Sequence, residues 1–315
     1  MSFVKTGLFI FLSISVAVLT ACGSINGSYT QMPAPFESEN STVLESSPSE
    51  SVSDSSSNDS NNNESDILLD INFIVRVRDY IPDIKVDIKY ATNDNFTKGR
   101  IYNFDDAYLR YGTVIKLKKA VESLKAEGYN ILIWDGFRPH EAQIVLFENT
   151  PDGNFVSDPK NGFTSHSKGG TVDLTLVKAD GSFVEMPSDF DEFTEKADRN
   201  YDDVSNNAAE NSKILEKAMT DAGFKGYSKE WWHYSDTDSY SGEDIKDIKP
   251  LSKSKTAYIA DCSEYITLRK SPDNKSEAVA KIPANAEFKA ICWYGNFVGV
   301  SYENNFGFVS STYVK

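Results

Sequence analysis

Ser165-His166-Ser167-Lys168-Gly169-Gly170-Thr171-Val172-Asp173-Leu174 decides how this chain is read. From Thr171 onward the run is rich in β-branched and apolar residues, which predicts a buried strand over residues 171–177 with Asp173 near its start. The two glycines before it let the loop fold back, so that His166 and Asp173 can face one point. The chain has only three histidines, His140, His166 and His233, so each can be weighed singly. His233 closes Glu230-Trp231-Trp232-His233, which continues into Tyr234 as an aromatic-rich strand. Two imidazoles and one carboxylate form a hydrolytic zinc set that leaves a fourth position for water. The helical spacing His-Glu-x-x-His occurs nowhere in the chain.

Hydrolysis also needs a base beside the activated water, and Glu230 is the candidate. Residues three apart in a straight strand face opposite sides. Glu230 is therefore expected on a loop after Ser228, with the chain bending before His233. Arg138, in Trp134-Asp135-Gly136-Phe137-Arg138-Pro139, follows a predicted buried strand and offers a rigid guanidinium to a developing oxyanion. Each residue also has a plainer role open to it. Asp135 or Asp173 could cap a turn, Arg138 could sit in a surface ion pair, and Trp231-Trp232 could be core. His140, beside a proline, is expected to be exposed.

Working outward, apolar residues at helical spacing predict a helix over 107–127, ended by Gly128, and a second over 206–222, ended by Gly223. Residues 129–134 read as a strand between them. These elements describe an α+β domain over 67–248, a small antiparallel sheet with flanking helices. The stretch 240–256 is polar and contains Pro250, and a linker is drawn at 249–256. Residues 257–315 then change to short strands with turns such as Ser271-Pro272-Asp273-Asn274, a pattern of a small all-β barrel.

At the other end, Lys5 and an apolar run over 7–21 describe an export signal, and Leu19-Thr20-Ala21-Cys22 resembles a bacterial lipobox. The expectation is a signal peptide over 1–21, removed before Cys22, and a lipid-anchored protein. Residues 23–66 hold eight carboxylates and no Lys or Arg, so −8 of the chain's −15 sits there. With the anchored cysteine they form an expected disordered tether, 22–66, spanning about 35–40 Å. The acidity therefore says little about a catalytic surface, and it excludes nucleic acid as a main partner. Cys262 and Cys292 remain as a pair in an exported domain, which permits a disulfide or two free thiols.

Three blocks together, Asp135-Gly-Phe-Arg-Pro139, Ser165-His-Ser-Lys-Gly-Gly-Thr-Val-Asp173 and Glu230-Trp-Trp-His233, resemble zinc D-alanyl-D-alanine dipeptidases of the VanX type. That superfamily also holds D,D- and L,D-carboxypeptidases and endolysin peptidases. Lys89-Tyr90-Ala91-Thr92, Asn95-Phe96-Thr97 and Phe190-Asp191 extend the match. The resemblance implies one zinc ion held by His166, Asp173 and His233, with Glu230 as general base and Arg138 stabilising the transition state. It further implies that Tyr90 and Asp191 hold the free ammonium of a dipeptide and that Ser165 orients the substrate carboxylate. The stretch between the Arg and His motifs is shorter than is typical of these enzymes. Ile266-Thr-Leu-Arg269, Ile282-Pro283, Gly295-Asn-Phe-Val298 and Gly307-Phe-Val309 resemble a bacterial SH3 (SH3b) domain, a family whose members commonly bind peptidoglycan. The combined expectation is a surface D,D-dipeptidase anchored to the membrane and facing the wall, with a Gram-positive envelope favoured. The alternative is a wall-bound carboxypeptidase or endopeptidase that trims stem peptides. A non-enzymatic wall-binding lipoprotein fits least, because a structural zinc needs neither Glu230 nor Arg138.

Overall fold

The computed structural model describes residues 70–315 except 151, 152, 154 and 253–256. The expected signal peptide, Cys22 and the tether lie outside the described residues. The described chain opens on a two-stranded antiparallel ribbon, β1 (Ile74–Arg76) with β3 (Tyr108–Arg110). Between them in sequence lies the short β2 (Lys85–Val86). Helix α1 (Tyr111–Ala126) follows β3 directly and buries Val114, Leu117, Val121 and Leu124. The expected helix over 107–127 is thus corrected at its front. Residues 108–110 continue an apolar pattern, but pairing with β1 satisfies their backbone groups and holds them extended.

A five-stranded sheet forms the centre, in the order β2, β4 (Tyr129–Asp135), β5 (Thr171–Lys178), β7 (Glu230–Asp236), β6 (Phe224–Tyr227). The sheet is antiparallel except that β2 runs parallel to β4, a correction to the all-antiparallel expectation. A parallel neighbour needs a long crossover, and the stretch carrying β3 and α1 provides it. Helix α2 (His140–Asn149) follows β4, and α3 (Asn206–Asp221) precedes β6. The Ser205 hydroxyl accepts from Ala208 N–H and caps α3, a contact typically worth about 1 kcal/mol. Helices α1 and α3 pack on each other and on the sheet. Seven of the eight residues of β5 are buried, which is why it reads as a nearly continuous apolar run.

The C-terminal part is a seven-stranded, all-β sheet. Its strands are β8 (Ile248–Pro250), β9 (Ala257–Ile259), β10 (Tyr265–Arg269), β11 (Ala278–Pro283), β12 (Glu287–Tyr294), β13 (Phe297–Tyr302) and β14 (Asn305–Ser310). Strand β8 falls inside the polar stretch read as a linker and pairs with β12. Leu268, Ile282, Val298 and Val300 build a core within this sheet. Ile291, Cys292, Phe306 and Phe308 instead join the larger core, where Phe73 meets the rings of Phe306 and Phe308 at 5.5 and 4.8 Å. Cys262 and Cys292 are both free thiols, and Cys292 is buried as a small apolar residue.

Candidate metal centre

The register of the central sheet builds the site. Asp135 on β4 stands opposite Asp173 on β5, and Asp173 stands opposite His233 on β7. Three functional side chains thus lie in one row across three strands. Alternation along β5 turns Asp173 to the face opposite Val172 and Leu174.

His166 comes from the loop before β5. Its Nδ1 donates to the carbonyl of Gly136 (2.9 Å), because a carbonyl can only accept. That bond fixes the tautomer and leaves the Nε2 lone pair facing Asp173 Oδ2 at 3.3 Å. His233 is held the other way round. Its Nε2 meets the Ser235 hydroxyl at 3.3 Å, which in turn meets Thr171 at 2.9 Å, and its Nδ1 points at Asp173 Oδ1 from 3.1 Å. Gly169 makes the loop's return possible, with φ +75°, and a Cβ there would stand 2.6 Å from Ile74 Cδ1.

His166, Asp173 and His233 each offer a ligand atom, all within 4.8 Å of one another. Asp173 Oδ1 is buried and accepts no hydrogen bond despite the 3.1 Å approach of His233. Burial alone would raise the Asp173 pKa, but the two imidazoles hold the carboxyl well below its ordinary range. Burial pushes the His233 pKa below its ordinary value, favouring the neutral ring. A buried carboxylate and two imidazole nitrogens converging on one point are the donor set of a divalent zinc ion. The residues fit such an ion.

Glu230 lies 3.4 Å from His233 Nδ1 through its Oε2. It is the first residue of β7, a correction to the expected loop position. The expected bend is present as a break in register: Tyr227 pairs with Glu230, whereas the adjacent Gly226 pairs with Tyr234. The extra residues of β7 bulge and bring Glu230 and His233 to the same side. Burial pushes the Glu230 pKa well above its ordinary value, and the Asp173 and Asp191 carboxylates add to the effect.

Arg138 is buried beside the triangle, its Nη2 3.7 Å from Asp173 Oδ2. Asp135 Oδ2 accepts from Arg138 Nε and Nη2 at 3.0 and 2.8 Å, and Gln143 Oε1 accepts from Nη1 at 2.9 Å. Asp135 Oδ1 also accepts from Tyr102 OH and Gly136 N–H, so it does cap a turn while orienting the arginine. Tyr90 lies under the guanidinium, 5.3 Å from carbon to ring centre, and its OH donates to Asp191 Oδ2 at 2.8 Å. Burial raises the Asp191 pKa to about 8. The turn carrying Tyr90 is locked by Asn95, whose side chain bonds Lys89 O, Thr92 O, Gly99 O and Thr97.

Tyr90, Arg138, Ser165, His166, Asp173, Asp191, Glu230 and His233 therefore all line one cleft of about 50 Å³. Ser165 is exposed at its mouth. A neighbouring cleft of about 310 Å³ shares Ser165, Glu230 and His233 and extends past Lys225 and Tyr227. Trp231 is wholly core, whereas Trp232, also buried, reaches the cleft. His140 neither joins the triangle nor lines its cleft; it starts α2, half-buried against Phe163 at 5.3 Å rather than exposed.

Six cleft residues went unread in the sequence, among them Gln143 and Thr164. Gln143 carried a usable signal, a polar residue on the inward face of α2 beside Ala142 and Leu146. Thr164 accepts from Ser167 N–H and shapes the loop before β5, a local capping role that leaves little trace.

Residues 70–249 match the Peptidase_M15 family, described as D-ala-D-ala dipeptidase. The chain is 35% identical over 153 residues to the D-alanyl-D-alanine dipeptidase of Escherichia coli (strain K12), covering 49% of this chain and 79% of that protein. It is 34% identical over 171 residues to the D-alanyl-D-alanine dipeptidase of Enterococcus faecium, covering 48% of this chain and 85% of that protein. It is also similar, at 28% over 126 residues, to the peptidoglycan L-alanyl-D-glutamate endopeptidase CwlK of Bacillus subtilis (strain 168), covering 38% of this chain and 67% of that protein. With the match spanning over half of its length, this chain belongs to the Peptidase_M15 family.

Proposed function

We propose that this protein is a zinc-dependent dipeptidase that hydrolyses D-alanyl-D-alanine. The observation that carries the reading is the convergence of the His166–Asp173–His233 triangle with Glu230, Arg138 and the hydrogen-bonded Tyr90–Asp191 pair in one cleft. His166, Asp173 and His233 would hold a zinc ion, which would supply Lewis acidity when bound. Glu230 takes the water proton and delivers it to the departing amine, and its raised proton affinity suits both tasks. Arg138, held rigid by Asp135 and Gln143, faces the developing oxyanion. Asp191 receives the free ammonium of the substrate, with Tyr90 OH fixing its carboxyl. Its left-handed backbone (φ 56°) is one that a short polar side chain tolerates. Ser165 at the mouth orients the substrate carboxylate.

The decisive assay sets zinc-loaded protein against free D-alanyl-D-alanine and a stem pentapeptide, side by side, before and after chelation. Chelator-sensitive cleavage of the dipeptide alone is the expected result. In the same assay Asp191→Asn is expected to raise KM for the dipeptide about 10–100-fold, the worth of one charged hydrogen bond of about 1.5–3 kcal/mol. Unchanged KM removes Asp191 from ammonium binding.

Trimming of stem peptides is the second reading, favoured by the 310 Å³ cleft beyond Glu230 and by the likeness to the endopeptidase. Preferential cleavage of the pentapeptide selects it. For the rest of the chain we propose lipid attachment at Cys22, a tether over 22–66 and an SH3b-type barrel over 257–315 that binds peptidoglycan. Together these place the enzyme at the outer face of the membrane toward the wall, most naturally in a Gram-positive envelope.

A further inference from the structure

The ribbon of β1 and β3 touches the metal site on one edge and the C-terminal sheet on the other. On the site side, Arg110 N–H donates to Gly169 O and Arg110 Nε to Lys168 O, each at 2.8 Å. Phe137 N–H donates to Tyr108 O, also at 2.8 Å. Strand β3 thus grips the loops that carry both His166 and Arg138, which are tied to each other because His166 O accepts from Gly169 N–H and Arg138 N–H. The Ile74 side chain fills the space under Gly169 that a Cβ would occupy.

On the other side, Ile74 has no further strand to pair with. The Tyr294 hydroxyl of β12 takes that place, accepting from Ile74 N–H and donating to Ile74 O, both at 3.1 Å. Cys292 Sγ donates to the same carbonyl at 3.6 Å. Arg76 Nη2 donates to Ala290 O at 3.1 Å, and Tyr108 OH donates to Leu251 O at 2.6 Å. The bonds to Ile74 and Tyr108 land on ribbon residues that back a site loop.

We infer that the C-terminal sheet sets the position of the metal loop through Tyr294, Ile74 and Gly169, so that Tyr294 is a positioning residue for the ligand His166. The inference rests on the proposed metal role of His166 and makes this sheet part of the catalytic scaffold rather than a module hung on a flexible link. Any wall ligand recognised by the sheet is then held in fixed register to the cleft.

The test measures zinc affinity of the full chain by chelator competition, together with the visible spectrum of the cobalt-substituted protein. Neither readout depends on turnover, so a wrong substrate assignment leaves the test intact. Tyr294→Phe removes the bridging hydroxyl and is expected to weaken zinc binding about threefold to tenfold, at or below the usual 10–100-fold cost of losing a direct partner of a ligand, and to shift the cobalt bands. Cys292→Ala, a milder change at the same carbonyl, is expected to act in the same direction. Ile282→Ala in the sheet's own core lowers thermal stability but is expected to keep zinc affinity within about twofold, since partial collapse around a lost side chain stays local. Wild-type zinc affinity and cobalt spectrum in both Tyr294→Phe and Cys292→Ala overturn the inference. So does an equal loss in Ile282→Ala, which would mark a general effect of instability.

Discussion

Glu230→Gln protein is expected to bind zinc like the wild type and to turn over D-alanyl-D-alanine about 10²–10⁴-fold more slowly, the usual contribution of a positioned acid–base group. The substitution keeps the size of the side chain while removing its charge and its capacity to take a proton. Glu230 is not one of the three converging ligands, so metal content is expected to survive. The geometry sharpens the expectation, because the bulge in β7 places this carboxyl beside His233 while the strand around it stays paired. Metal analysis and steady-state kinetics on one preparation decide the matter. Turnover within a few-fold of wild type would assign the proton transfers to another group, whereas loss of zinc would make Glu230 a ligand.

Arg138→Ala is expected to lower kcat about 10²–10³-fold while KM moves little, as for the loss of one oxyanion donor. The same change strips Asp135 of its cationic partner in a buried setting, where breaking an ion pair typically costs about 3–5 kcal/mol. Tyr102 OH and Gly136 N–H still satisfy the other carboxylate oxygen, so a folded protein with a lower melting temperature is the expected state. Arg138→Lys separates the two effects. It retains the charge but loses the fork that engages Asp135 and Gln143 together, and it is expected to recover stability more fully than turnover. Unchanged kcat in Arg138→Ala removes the arginine from the reaction.

Much of the site was legible because its chemistry depends on scarce residue types in local patterns. Two of only three histidines are ligand candidates, and the glycines that turn the loop back lie beside His166. Helices α1 and α3 were legible for a similar reason, with Gly128 and Gly223 in left-handed conformations just past their ends. What escaped depends on partners distant in sequence. The extended state of residues 108–110 is imposed by β1, more than thirty residues earlier, against a helical apolar spacing. The parallel pairing of β2 with β4 depends on the crossover between them. Asp135 reads locally as a turn cap, and its hold on Arg138 and Tyr102 emerges only when the loops meet. Strand β8 lies in a polar stretch and becomes a strand because the edge of β12 is open to it.

The row formed by Asp135, Asp173 and His233 has a kinetic corollary. These residues are separated by 38 and 60 positions, and only correct alignment of β4, β5 and β7 makes them neighbours. Contacts between such distant segments form slowly, because the chain must close long loops before gaining anything from them. A slip of one residue in β5 would turn the aspartate inward and present an aliphatic side chain to the two imidazoles. The three-residue donor set is therefore complete only once β5 and β7 have paired in register.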